Sequence, residues 1–189
     1  MKRREAFKNL SLFVYGSLTL PASSLLNSCS PVSKEVNWNP KYLNAEEAFF
    51  LTEISNTIIP NTEFPGAIAV GVPSEIENYI FNVFEDDKIQ SFRGELNQLD
   101  KYLNNLNSNK SFYESTLREK TKILNDLQKN LDKKSYREMY INLKSTVATS
   151  YFRSEVGATQ VLKYNGPSVV LGSYKGCIPL EDVGKTWAI

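Results

Sequence analysis

The chain has 189 residues, 41% of them hydrophobic and 23% charged, with 22 Lys+Arg against 21 Asp+Glu and no histidine. A near-neutral balance offers no concentrated basic surface for nucleic acid. The missing imidazoles exclude Ser-His-Asp and Cys-His nucleophilic sites and any histidine-held zinc or haem iron. Two cysteines, Cys29 and Cys177, are too few for a zinc knuckle, an iron–sulfur cluster or a disulfide framework. Most self-contained catalytic chemistry is thereby ruled out, while 12% aromatic residues can build a sizeable core for one domain.

The first residues differ from the rest. Lys2, Arg3, Arg4 and Lys8 make a basic start, and Asn9 to Ser28 is uncharged and contains Leu10, Leu12, Phe13, Val14, Tyr15, Leu18 and Leu20. A basic region before a short apolar run is the anatomy of an export signal. Ser11, Gly16, Ser17 and Pro21 break the run, so it falls short of the roughly 20 apolar residues that a membrane span needs. Arg3-Arg4-Glu5-Ala6-Phe7-Lys8 resembles a twin-arginine export signal, and Leu26-Asn27-Ser28-Cys29 resembles a bacterial lipobox with Cys29 at the cleavage point. Residues 1–28 are therefore expected to be a twin-arginine-type lipoprotein signal peptide, with acyl chains on Cys29 anchoring the chain to the membrane. An ordinary thiol at Cys29 is the plainer alternative. Cleavage leaves Cys177 as the remaining unmodified thiol.

Residues 29–43 read as a polar tether with Trp38 near its end, and 44–189 as the folded domain. Asn44 with Glu47 three positions on looks like a helix N-cap and partial capping box. The helix that follows carries Ala48, Leu51, Ile54, Ile58 and Ile59, and Pro60 stops it. After a turn-rich connector, Asn61 to Pro73, a second helix begins at Ser74 with Ile76, Tyr79, Ile80, Val83 and Phe84. Ile89, Phe92, Leu96, Leu99, Leu103 and Leu106 recur by threes and fours in a third. A fourth holds Leu117, Ile123, Leu124, Leu127 and Leu131 among Lys120, Lys122 and Lys129, and reads as a solvated lysine face. The fifth runs from Ser135 through Tyr136, Met139, Tyr140, Leu143, Val147 and Tyr151, with Gly157 placed to end it as a C′ residue. Period-two alternation is conceivable at Ser168 to Tyr174 alone. The expected fold is all-α: a compact bundle of about five helices with an irregular carboxyl-terminal tail, preceded by the signal peptide.

Candidate chemistry is sparse. The pairs Glu46-Glu47 and Asp86-Asp87 suit solvated helix starts better than acid–base work, because adjacent helix positions do not face each other. Gly66 to Gly71 lacks the spacing and the preceding strand of a dinucleotide loop. Glu155, in Tyr151-Phe152-Arg153-Ser154-Glu155-Val156-Gly157-Ala158-Thr159-Gln160, falls at a helix carboxyl end, where the dipole disfavours an acid. It reads either as part of an internal clasp or as a direct contact with a partner. Cys177 reads as a small buried hydrophobe or as a reactive thiol, with Lys175 the one nearby cation in sequence.

Thr57-Ile58-Ile59-Pro60, Pro65-Gly66-Ala67, Gly71-Val72-Pro73, Tyr151-Phe152, Ser154 to Gln160, Tyr164 and Gly176-Cys177-Ile178-Pro179-Leu180 together resemble the gluconate 2-dehydrogenase subunit 3 (gamma, small subunit) family. That resemblance implies an accessory role. In such complexes a large flavoprotein of the glucose–methanol–choline type binds FAD and oxidises a sugar or sugar acid, and a cytochrome c subunit, where present, carries electrons away on haem. The small subunit escorts the signal-less flavoprotein through twin-arginine export and holds it on the periplasmic side of the membrane. No catalytic, cofactor-binding or metal-binding residue is expected on this chain. Its export signal would be Arg3, Arg4 and Lys8, its lipidation site Cys29, and its partner interface Tyr151, Phe152, Glu155, Tyr164 and Cys177. The competing reading is a stand-alone lipid-anchored sugar-binding protein using Trp38, Trp187 and the tyrosines.

Overall fold

A computed structural model describes residues 35–106 and 110–163, and within them five α-helices and a short π-helical turn make up the regular structure. Asn44 opens helix α1, Ala45–Ile58, with a reciprocal capping box: its side chain accepts from Glu47 N, and Glu47 Oε2 accepts from Asn44 N at 3.0 Å. Four consecutive residues, Ala48 to Leu51, are buried, together with Ile54, Ser55 and Thr57. A helix buried on more than one face must run through the interior, and α1 packs against all four of the other helices.

The connector after α1 folds back tightly. Ala67 N donates to Ile59 O at 2.8 Å, and a Cβ on Gly66 would lie 2.5–2.7 Å from the backbone of residues 59–61. Glycine is required there by contact distance. Gly71, at φ +78°, then turns the chain into α2, Val72–Val83, with Pro73 in its first turn. The helix thus begins at Val72, ahead of the expected Ser74, because Gly71 supplies the left-handed turn that lets it start before the proline.

Helix α3, Asp86–Asn104, buries Ile89, Leu96, Leu99 and Leu103. Leu106 lies past its end and is exposed. Helix α4, Leu117–Lys129, has a second reciprocal capping box between Thr116 and Glu119. It buries Leu124 and Leu127, while Leu117 and Leu131 at its ends are exposed. Helix α5, Lys134–Arg153, buries Tyr140, Leu143, Val147 and Tyr151 and packs against α1, α2, α3 and α4. Helices α1 and α5 are therefore the two that each neighbour all the others, and each side chain of Leu or Ile size enclosed between them contributes about 1.5–3 kcal/mol.

Three charged side chains lie inside, and two of them, Glu47 and Lys120, were expected on the surface. Glu47 is 2% exposed, and its carboxylate accepts from Arg93 (3.0 and 2.9 Å) and from Asn97 Nδ2 (3.0 Å), both on α3. It is a cap, as expected, but a buried one rather than a solvated one. Burial pushes its carboxyl up, but the bonds from Arg93, Asn44 N and Asn97 outweigh that and hold it below the usual range. Lys120 on α4 is buried too; its ammonium reaches Glu53 of α1 at 2.6 Å and lies over the Phe112 ring. That lysine belongs to a helix–helix contact, whereas Lys122 and Lys129 remain on the expected solvated face. Glu77 of α2, 1% exposed, is the third. Its Oε1 accepts from Tyr42 N and Leu43 N at 2.9 Å, and both oxygens accept from Lys41 N at 3.1 Å.

Candidate partner interface

The sequence from Tyr151 onward folds as a stop and an immediate restart. Tyr151 is buried, and its hydroxyl donates to Pro65 O at 2.8 Å, tying the end of α5 to the connector between α1 and α2. Ser154 adopts an extended conformation (φ −67°, ψ 155°) and ends α5. Its hydroxyl donates to Tyr151 O at 2.6 Å and accepts from Gly157 N at 3.1 Å, while Ser154 O accepts from Ala158 N at 2.9 Å. Ser154 is therefore both the last cap of α5 and the N-cap of the next turn. That turn passes into a π-helix, Gly157–Val161, closed by Leu162 N donating to Gly157 O at 3.0 Å.

Two expectations are corrected here. Gly157 is not a left-handed C′ residue, since Gly71 is the one positive-φ glycine among the described residues. It is required for space: a Cβ would sit 2.1 Å from Tyr151 O and 2.9 Å from Phe152 Cα. Glu155 does not suffer the carboxyl-end dipole of α5, because Ser154 has already started a new turn. Glu155 lies in that first turn, where an acid is favoured.

Beside this junction, α2 and α5 enclose an open groove of about 430 Å³, lined by Gly71, Ser74, Glu75, Asn78, Ser150, Arg153 and Ser154 among others. Arg153 leaves α5 to lie over the Tyr79 ring, 5.9 Å from its centroid. Tyr79 in turn meets Phe84 edge-on at 5.5 Å. Tyr79, Val83 and Phe84 are all exposed, so the groove is flanked by an aromatic and aliphatic strip along the second half of α2.

Of the predicted interface residues, Tyr151 lies behind this surface in the core, Phe152 is half-buried against Tyr151, and Glu155 is exposed. Its carboxylate makes no hydrogen bond or ion pair among the described residues. A clasp does exist at this point, built by Tyr151 and Ser154 rather than by Glu155. Tyr164 and Cys177 lie outside the described residues, as do Arg3, Arg4, Lys8, Cys29, Trp187 and the Ser168–Tyr174 stretch. Sequence reasoning missed Arg153, Tyr79 and Phe84 as one surface. The available signal was Tyr79 and Val83 four apart on a helix whose inner face is already supplied by Val72, Ile76 and Ile80.

Among the described residues no group of three or more Cys, Asp or Glu side chains is placed to hold a metal ion. No described helix is long and apolar enough to cross a membrane. No curated protein and no solved structure gave a match to the chain. The family model for gluconate 2-dehydrogenase subunit 3 matches residues 45–167, from the first residue of α1 to beyond the π-helical turn. The match takes in Tyr151, Phe152, Glu155 and Tyr164 and stops short of Cys177. Spanning well over half of the sequence and every described helix, it places this chain in the gluconate 2-dehydrogenase subunit 3 family.

Proposed function

We propose that this chain is the non-catalytic small subunit of a membrane-associated dehydrogenase, and that it escorts and holds an FAD-binding flavoprotein of the glucose–methanol–choline type. The observation that carries the reading is the family match over residues 45–167, on a chain that opens with Arg3-Arg4 and Lys8. The sequence supplies no histidine and no pyrophosphate-binding loop, so the oxidation falls to the partner, with a cytochrome c subunit as electron acceptor where one is present. The flavoprotein docks on the surface formed by Phe152, Arg153, Glu155, Tyr79 and Phe84, with Tyr151 supporting it from behind. Tyr164 and Cys177 belong to the same proposal, as continuations of the chain from that junction. Such a surface combines aromatic and arginine anchors with a polar groove, the composition that partner-binding patches favour. Acylated Cys29 anchors the pair on the periplasmic side.

The sugar-binding alternative loses one of its main residues. Trp38 is half-buried against the core and its indole N–H donates to Thr52 Oγ1 at 2.9 Å, so it is not a free stacking platform.

The test is export. Lysine does not replace arginine where planar, multi-donor recognition is needed. The double change Arg3→Lys, Arg4→Lys should strand both polypeptides in the cytoplasm, with sugar oxidation lost from intact cells and kept in lysates. Fractionation with antibodies to each chain reads this directly. Continued export of the flavoprotein would remove the escort role and leave anchoring or stabilisation.

A further inference from the structure

Residues 35–43, just before α1, make more contacts with the bundle than their polar composition suggests. Val36 and Trp38 pack against the core, Trp38 is bonded to Thr52, and Leu43 is buried. Tyr42 stacks on Phe81 of α2, with ring centroids 4.7 Å apart and planes 6° from parallel. Beneath that stack the Glu77 carboxylate accepts from three successive amides, Lys41, Tyr42 and Leu43, at 2.9–3.1 Å. Glu77 and Phe81 are four apart on α2, so one helix face grips the segment twice. Three N–H groups converging on one buried carboxylate form an anion nest whose ligand is part of the same chain.

We propose that Glu77 is a latch that turns residues 35–43 into a fixed strap and so limits how far the bundle can stand from a lipid anchor on Cys29. Nothing in the export or docking roles requires this: a loose tether would serve both. The consequence for the membrane rests on the acylation of Cys29 proposed above. With the strap docked, the reach from Cys29 to Glu35 cannot exceed about 20 Å, whereas a strap released back to Asn44 would raise that limit to about 50 Å. The latch thus shortens the greatest distance from the acyl anchor at which the bundle, and whatever docks on it, can stand.

Amide hydrogen exchange on the full mature chain tests the latch, since exchange reports local opening. The amides of Lys41, Tyr42 and Leu43 should exchange about 100-fold or more slowly than unstructured chain, and Glu77→Ala should remove that protection while the amides of α1 and α5 keep theirs. Glu77→Gln, which keeps one acceptor oxygen, should fall between. Should Glu77→Ala unfold the whole bundle, Tyr42→Ala decides the matter, because removing that exposed ring should speed exchange at the same three amides several-fold without touching the core. Unprotected amides in the wild-type chain, or no response to any of these changes, would overturn the strap. Mass spectrometry of the amino-terminal peptide separates the two claims, since an unmodified Cys29 overturns the membrane reach and leaves the strap standing.

Discussion

The start of α1 and the end of α5 handle charge in opposite ways. Around the start of α1 each buried acid is met by donors: Glu47 by Arg93, Asn97 and Asn44 N, and Glu77 by three backbone amides. At the end of α5 the charges point outward. Arg153 rests on the Tyr79 ring, Glu155 is exposed, and neither forms an ion pair among the described residues. A charge saturated inside the fold has its bonding capacity used and serves stability. A charge left at the rim of an aromatic strip keeps that capacity for another molecule. The contrast separates a region whose charges are consumed in the fold from one whose charges are left exposed.

The strongest way to break the contrast is at Glu47. Glu47→Ala removes the shared acceptor of Arg93, Asn97 and the Asn44 amide, and because Arg93 is partly exposed the cost should be about 3 kcal/mol rather than that of a fully buried pair. Urea unfolding followed by circular dichroism checks it. The pH dependence sharpens the same point. The folded Glu47 carboxyl titrates below the ordinary 4.5, so its contribution is fully present above that value and is lost as pH falls through the lower folded one. Glu119, lowered to about 2 by Lys110 and by the Thr116 cap, adds a surface contribution of the same sign. A Glu47→Gln chain should show a flatter fall in stability over that acid range than the wild type.

Gly157 gives the next largest effect, in the second of the two regions. Its added Cβ would meet Tyr151 O at 2.1 Å, so Gly157→Ala must displace backbone and should cost about 2–3 kcal/mol. Proteolysis should then open the chain after Ser154 first, leaving α1–α4 intact.

Glu155→Ala should have the smallest effect on stability, leaving the urea midpoint unchanged, because the side chain is exposed. It should nonetheless weaken recovery of the large subunit on a tagged copy. A fall in the midpoint with the partner still bound would transfer Glu155 to the folding side of the comparison.

Periodicity carried much of the bundle. The run Ile89, Leu96, Leu99, Leu103 defines α3 because its outer positions are plainly polar, and Asn44 with Glu47 marks the start of α1. The buried charges left a signal that the expectation of solvated faces passed over. Glu47 is in phase with Leu51 and Ile54, Glu77 with Pro73 and Ile80, and Lys120 with Leu124 and Leu127. A charge on an apolar face signals an interior partner. Which partner was not legible, since Arg93 lies 46 positions from Glu47, and Glu53 lies 67 from Lys120. The α5 junction was misread for a different reason. Ser154 stops one helix and starts another through a single hydroxyl, and glycine three residues on suggests a C′ cap equally well when close approach is invisible. The surface shared by Arg153 and Tyr79 depends on α2 and α5 packing side by side, which local pattern does not encode.

The central claim is that this chain presents a surface to a flavoprotein and performs no oxidation itself. Affinity purification of a tagged copy from its native membranes tests that claim most directly. The account predicts a near-stoichiometric large subunit with a flavin spectrum and sugar-oxidising activity, both of which are lost from the eluate when Arg153 and Glu155 are changed to Ala. Recovery of the chain alone, itself binding flavin or sugar, would contradict it.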